Sequence, residues 1–92
     1  MKITEVQIEF VKSNNGLIGF ASLIIDNNIY ISSIAIHKKL NDEGYRLTYP
    51  RKNNFDIYHP INKSTSQAIE LAIFNKLKDV MKQVKNHDIQ KV

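Results

Sequence analysis

The hydrophobic period changes once along this chain, near residue 63. Upstream, apolar residues alternate with polar ones, as along a half-buried strand. Downstream, they recur every three to four residues, as along one face of a helix. A block of strands followed by one long helix predicts an α+β domain, because segregated elements do not build the parallel sheet of an alternating βαβ chain.

In the first strand, 3–11, Val6, Ile8 and Phe10 face one way and Glu5, Gln7 and Glu9 the other. Ser13-Asn14-Asn15-Gly16 follows as a turn, since Asn and Gly tolerate positive φ. The second strand, 17–25, is apolar on both sides, with Leu23 and Ile25 opposing Ile18, Phe20 and Ile24. Gly19 within it marks a bulge or the close approach of a neighbouring backbone. Asp26-Asn27-Asn28 makes a tight hairpin into a third strand, 29–36, again mostly apolar on both faces and rich in β-branched residues. Residues 37–44 read as a charged loop. A fourth strand, 45–49, puts Tyr45, Leu47 and Tyr49 on one side and Arg46 and Thr48 on the other. Pro50 ends it by removing a ladder donor. Arg51-Lys52-Asn53-Asn54 is a basic turn, and 55–58 reads as a short fifth strand. The pattern predicts an antiparallel meander of four to five strands.

Ser64 is a suitable N-cap for the helix, and Gln67 three residues on completes a capping box. Ile69, Ala72, Ile73, Leu77, Val80 and Val84 form the apolar stripe, which Phe74 and Met81 widen. Lys78, Lys82 and Lys85 gather on the opposite side. The pattern fades at Asn86. The reading is therefore a single domain over 1–86 and a frayed tail over 87–92. Two strands apolar on both faces, with one helix as cover, predict a homodimer in which a second copy supplies the missing cover.

A chain of 92 residues suits one domain, which buries roughly 65% of its unfolded surface. No apolar run approaches the roughly 20 residues of a membrane span. No signal-peptide core follows Met1. The absence of cysteine excludes a disulfide scaffold and a thiolate metal site. These features predict a cytoplasmic protein without a membrane partner. The net charge of +4 is uneven. Residues 46–92 hold nine basic side chains against Asp56, Glu70, Asp79 and Asp88, whereas residues 1–45 hold four against five acidic ones. A basic half suits a polyanion such as nucleic acid. It also suits a merely solvated surface, because Lys outnumbers Arg 11 to 2, a bias that AT-rich codons produce by themselves.

The three histidines, His37, His59 and His87, have no partners at metal-ligand spacing. His59, between Tyr58 and Pro60, reads either as a general base oriented by Asp56 or as a hydrogen-bonding residue that fixes the turn into the helix, and the second reading is preferred. Three isolated glycines build no phosphate cradle, and no nucleophile elbow or zinc-protease motif is present. Ser64, Thr65 and Ser66 are helix-capping hydroxyls before they are nucleophiles. The expectation is a protein that is not an enzyme and takes neither cofactor nor small-molecule substrate. The segment 62–66 instead places hydroxyls, backbone N–H groups and Lys63 at a helix start, an arrangement that attracts phosphate. Arg51 and Lys52 lie a short connection away. The aromatics Tyr30, Tyr45, Tyr49, Phe55 and Tyr58 could stack bases, though they lack the paired signature of an RRM sheet.

The run Phe55-Asp56-Ile57-Tyr58-His59-Pro60-Ile61-Asn62-Lys63-Ser64-Thr65 resembles the D-I-x-H-P-I-N-x-x-T stretch of the SpoVG family, bacterial proteins of sporulation stage V and septation. Met1-Lys2-Ile3-Thr4-Glu5-Val6 is similar to that family's M-x-I-T-D-V start, and Ala21-Ser22-Leu23-Ile24-Ile25-Asp26 to its A-S-I-T-L-D strand. Gly44 to Pro50 with Arg51-Lys52 resembles its G-x-F-V-x-M-P-S-K stretch. The resemblance covers residues 1 to about 84. It implies a cytoplasmic homodimer with a small antiparallel sheet and a C-terminal helix. It implies DNA and RNA binding that tunes gene expression, and no enzymatic activity. The positions it ties to nucleic acid are Arg51, Lys52, Lys63, Ser64 and Thr65; outside it, Lys78, Lys82 and Lys85 either add cations to this site or only solubilise the helix. His59, Pro60 and Asn62 would shape the turn. Two departures remove charge from this site: the loop between Pro50 and Phe55 is shorter than usual, and Ser66 stands where many members have Arg. That weakening leaves an alternative, a protein-interaction module in cell division that does not contact nucleic acid.

Overall fold

A computed structural model describes the backbone of residues 1–40 and 44–90, and the side chains of residues 1–40 and 44–83. Four strands, β1 (Ile3–Asn14), β2 (Leu17–Ile25), β3 (Ile29–Lys38) and β4 (Tyr45–Thr48), form one antiparallel sheet in the order β1-β2-β3-β4. Two short strands, β5 (Arg51–Lys52) and β6 (Phe55–Asp56), form a separate hairpin. Helix α1 (Lys63–Gln90) closes the chain. The fold is the α+β meander that the change of period predicts.

The turns explain why a chain this rich in asparagine folds so tightly. Asn15 with Gly16, Asp26 with Asn27, and Asn53 with Asn54 all take positive φ at the tips of their hairpins. Paired positive φ is the geometry whose twist matches that of the flanking strands, and Asn, Asp and Gly tolerate it best. Asp26 also ties down the start of β1: its N–H donates to the Lys2 carbonyl at 2.7 Å, and its Oδ1 accepts from the Lys2 N–H at 2.6 Å.

Bulges, rather than strict alternation, decide which side chains reach the core. Between Thr4 and Gln7, β1 carries one more residue than β2 opposite, and Glu5 sits at φ 54°. The extra residue puts Ile3 on the same face as Val6 and Ile8. In β3 the same device at Ser33, φ 65°, keeps Ile31 on the core face with Ile34 and Ile36. A further shift between Leu17 and Gly19 lets Ile18 join the core, although simple alternation places it opposite Leu23. Gly19 is the predicted close approach: a Cβ there would lie 2.7 Å from the Glu9 carbonyl oxygen.

The core joins Ala21, Leu23, Ile34 and Ile36 of the sheet to Ile69, Ile73 and Leu77 of α1. Tyr45, Leu47 and Tyr49 pack around it from the β4 side, and Phe74 from the helix. Ala72 and Val80 are half-buried, while Val84 lies outside the described side chains. The opposite sheet face is mixed. It carries half-buried Ile24 and partly exposed Phe20 and Tyr30, among Gln7, Glu9 and Ser22.

Three expectations are corrected. The fifth strand does not join the main sheet, because Pro50 breaks the ladder after β4 and the chain turns back on itself as β5 and β6. His37 and Lys38 belong to β3 rather than to a loop. The N-cap is Asn62, not Ser64: the Asn62 Oδ1 accepts from the Thr65 N–H at 2.8 Å, and its carbonyl accepts the Ser66 N–H at 3.1 Å. Among the expected tail residues, α1 extends through Gln90, while Lys91, Val92 and the side chains of 84–90 lie outside the described region.

Candidate nucleic-acid interface

The β5–β6 hairpin pairs Arg51 with Asp56 and Lys52 with Phe55. Residues directly opposite in an antiparallel pair share a face. One face therefore carries Arg51 and Asp56, the other Lys52 and Phe55. The Ile57 N–H donates to the Pro50 carbonyl at 2.9 Å and extends the pairing by one step.

The Arg51–Asp56 face is internally satisfied. Arg51 Nε lies 3.1 Å from Asp56 Oδ1, and a second guanidinium N–H donates to the Asn54 carbonyl at 3.1 Å. Asp56 Oδ2 lies 3.6 Å from His59 Nε2, and His59 Nδ1 lies 3.0 Å from the Pro60 carbonyl oxygen. Both ring nitrogens of His59 thus face partners within the turn. The contact with the Pro60 carbonyl is the one that the structural reading expects, and the approach to Asp56 is common to both readings.

Two tyrosines anchor the hairpin to the domain. Tyr49 and Tyr58 meet edge to face with centroids 6.1 Å apart, and the Tyr58 hydroxyl donates to the Ser32 carbonyl. Burial, with help from the Glu70 carboxylate and Tyr58, pushes the Tyr49 phenol up to about 12. Burial raises Tyr58 in the same direction. The Tyr49 hydroxyl is buried without a hydrogen-bond partner among the described residues.

At the helix start, the donors that the sequence offers to a phosphate are partly consumed. The Ser64 hydroxyl donates to Asn62 Oδ1 at 2.9 Å, and the Thr65 N–H donates to the same oxygen. Lys63 is exposed and has no ion pair among the described residues, and the same holds for Lys52. Lys78 and Lys82 are exposed on α1, whereas the Lys85 side chain lies outside the described region. Lys78 borders an apolar groove lined by Tyr45, Phe74, Leu77 and Met81. The structure therefore joins Arg51 to Asp56 and His59, and Ser64 and Thr65 to Asn62, but no described contact links the hairpin to Lys63 or to the helix lysines.

His37, on the open face of the sheet, lies 2.9 Å from Thr48 Oγ1. Burial, and then the nearby Arg46 cation, hold its imidazole below the ordinary histidine range. Among the described residues no group of His, Asp and Glu is arranged to hold a metal ion. No described helix is long and apolar enough to cross a membrane.

The family described as SpoVG matches residues 1–79. The chain belongs to the SpoVG family. Among curated proteins it is 34% identical over 86 residues to a protein of Phytoplasma australiense, covering 88% of each chain. It is 34% identical over 86 residues to one of Onion yellows phytoplasma, covering 88% of this chain and 85% of the relative. It is 33% identical over 81 residues to one of Finegoldia magna, covering 83% of this chain and 73% of the relative. Each of these relatives bears the name "Putative septation protein SpoVG". In this SpoVG chain the HPIN run reads structurally as a capped turn: His59 and Asn62 bond its ends, and Pro60 stands between them. Sequence reasoning missed the Arg51–Asp56 pair. The signal was available, because a two-residue Asn-Asn turn fixes which residues of the hairpin lie opposite one another.

Proposed function

We propose that this protein is a homodimeric regulator in the septation and sporulation class, acting in the cytoplasm by binding nucleic acid and catalysing no reaction. The observation that carries the reading is the outer face of the β5–β6 hairpin, where Lys52 stands exposed while the hairpin's own acid, Asp56, is held by Arg51 on the other face. An ammonium without a carboxylate partner is available to a phosphate. Lys63 adds a second such cation at the start of α1, where the helix dipole favours an anion. Arg51 serves the shape of the hairpin first, and Ser64 and Thr65 serve the cap. Lys78, Lys82 and Lys85 contribute longer-range attraction. The names of the relatives support the septation role.

The dimer reading rests on the open sheet face, where Phe20 and Tyr30 are exposed beside half-buried Ile24 and no described helix covers them. Light scattering should give twice the chain mass at micromolar concentration, and a monomer would overturn this part. For binding, the test is the double charge reversal Lys52→Glu with Lys63→Glu. It should abolish binding to labelled DNA and RNA at low salt while the far-ultraviolet circular dichroism stays that of the parent. Unchanged affinity would refute the assigned cations.

The same open face favours a second reading, a protein-interaction module. It predicts that partners captured with the protein persist after nuclease treatment.

A further inference from the structure

Phe55 is 76% exposed, the most exposed aromatic side chain among the described residues. An aromatic ring of this size normally buries its faces, so its position on an outward hairpin needs a reason. The reason is not local packing. The turn residues Asn53 and Asn54 hold the hairpin tip tightly, and Arg51, Asp56, Tyr49 and Tyr58 hold its inner side. The hairpin is thus braced on one face while its other face carries Lys52, Phe55 and, two residues on along the strand, Ile57, which is 60% exposed. The outer face pairs a cation with an apolar ring and contains no acid.

That combination has a specific chemical complement. Single-stranded nucleic acid offers a phosphate and an unstacked base within one nucleotide. A duplex offers the phosphate alone, because its base faces are already stacked. We infer that Phe55 is a stacking post for one base of a single strand, with Lys52 beside it taking a phosphate of the same strand. This deepens the proposed function and rests on it: the cations attract any polyanion, and Phe55 selects the single-stranded form. A stacked base on an aromatic side chain is tolerant of sequence, since every base has a π face. The selectivity is therefore for strandedness and not for a base sequence.

The experiment compares parent protein, Phe55→Ala, Phe55→Trp and Lys52→Glu with Lys63→Glu. Each is titrated by fluorescence anisotropy into a labelled single strand and into the corresponding duplex, at two salt concentrations. Phe55→Ala should lose roughly ten- to a hundredfold in affinity for the single strand. It should keep the parent's salt slope, because no charge is removed, and the parent's affinity for the duplex. The chain contains no tryptophan, so Phe55→Trp provides a unique emitter. Its emission should be quenched by the single strand and not by the duplex. Single-strand affinity unchanged in Phe55→Ala, while the lysine double variant still loses binding, would overturn the stacking post and leave the phosphate reading standing. Parent protein that binds duplex at least as tightly as single strand would do the same. Parent protein that binds neither form overturns both.

Discussion

Arg51 Nε stands 3.1 Å from Asp56 Oδ1, across the β5–β6 hairpin from it in register. The hairpin register divides its charges between two faces: Arg51 and Asp56 satisfy each other on one, and Lys52 stands beside Phe55 on the other. Both partners are exposed, and an exposed ion pair contributes ~0.2–1 kcal/mol at most. Asp56→Asn should accordingly leave the Tm nearly unchanged. Amide hydrogen exchange within residues 51–56 should quicken, because the hairpin is otherwise held by very few ladder bonds. A large drop in Tm would mean that the pair carries the fold rather than the local shape.

The cap on α1 gives a ranking of three substitutions. Asn62→Ala removes the acceptor of both the Thr65 N–H and the Ser64 hydroxyl, and should cost about 1 kcal/mol. Ser64→Ala should cost less, since its hydroxyl only braces the cap. Gln67→Ala should cost almost nothing, because Gln67 has no described role in capping. Urea denaturation orders them, and a larger loss at Ser64 than at Asn62 would restore Ser64 as the cap.

Gly19→Ala forces a methyl to within 2.7 Å of the Glu9 carbonyl, and the obstacle is backbone, which cannot swing aside. The expected destabilisation is about 1–3 kcal/mol by chemical denaturation. A neutral outcome would mean that β1 and β2 separate there at little cost.

Tyr49 and Tyr58 should respond oppositely to loss of the hydroxyl. Tyr49→Phe removes a buried donor without a partner among the described residues, so stability should hold or rise. Tyr58→Phe breaks the bond to Ser32 and should cost about 1 kcal/mol. Both phenols are raised in the folded state, Tyr49 to about 12 from an ordinary value of 10. The folded state therefore holds these protons more tightly than the unfolded chain. The Tyr49 contribution is complete below pH 10 and is lost as the pH climbs toward 12, and that of Tyr58 is likewise lost as the pH rises above 10. Tyr49→Phe should flatten that alkaline decline, as thermal melts across the range would reveal.

Much of the fold was legible because period and turn chemistry agree. The alternation of Val6 and Ile8, the Asn15-Gly16 turn and the Ile69, Ile73, Leu77 stripe each predict the element found. What failed was alternation across bulges. Ile18 reaches the core through a register shift beside Gly19, and a glycine can mark a bulge without encoding which side chain the extra residue turns inward. The cap shifted from Ser64 to Asn62 because Ser, Thr and Asn cap almost equally well, and only the geometry of the turn after Pro60 chooses between them. At the candidate interface the residue types were legible from the basic run and the family resemblance. Which charges are engaged was not. Arg51 and Lys52 are neighbours in sequence, yet the hairpin register sends one to Asp56 and the other outward beside Phe55.

The central claim is phosphate capture by cations without an ion pair among the described residues, and salt dependence tests it most directly. Purified protein, its oligomeric state fixed by light scattering, is titrated into labelled single-stranded RNA and double-stranded DNA at low and at physiological salt. Phosphate capture predicts binding whose logarithm falls linearly with the logarithm of salt concentration, with a slope that shrinks in the Lys52→Glu, Lys63→Glu variant. Absence of binding at low salt by a well-folded protein, or a slope that the double variant does not change, would contradict it.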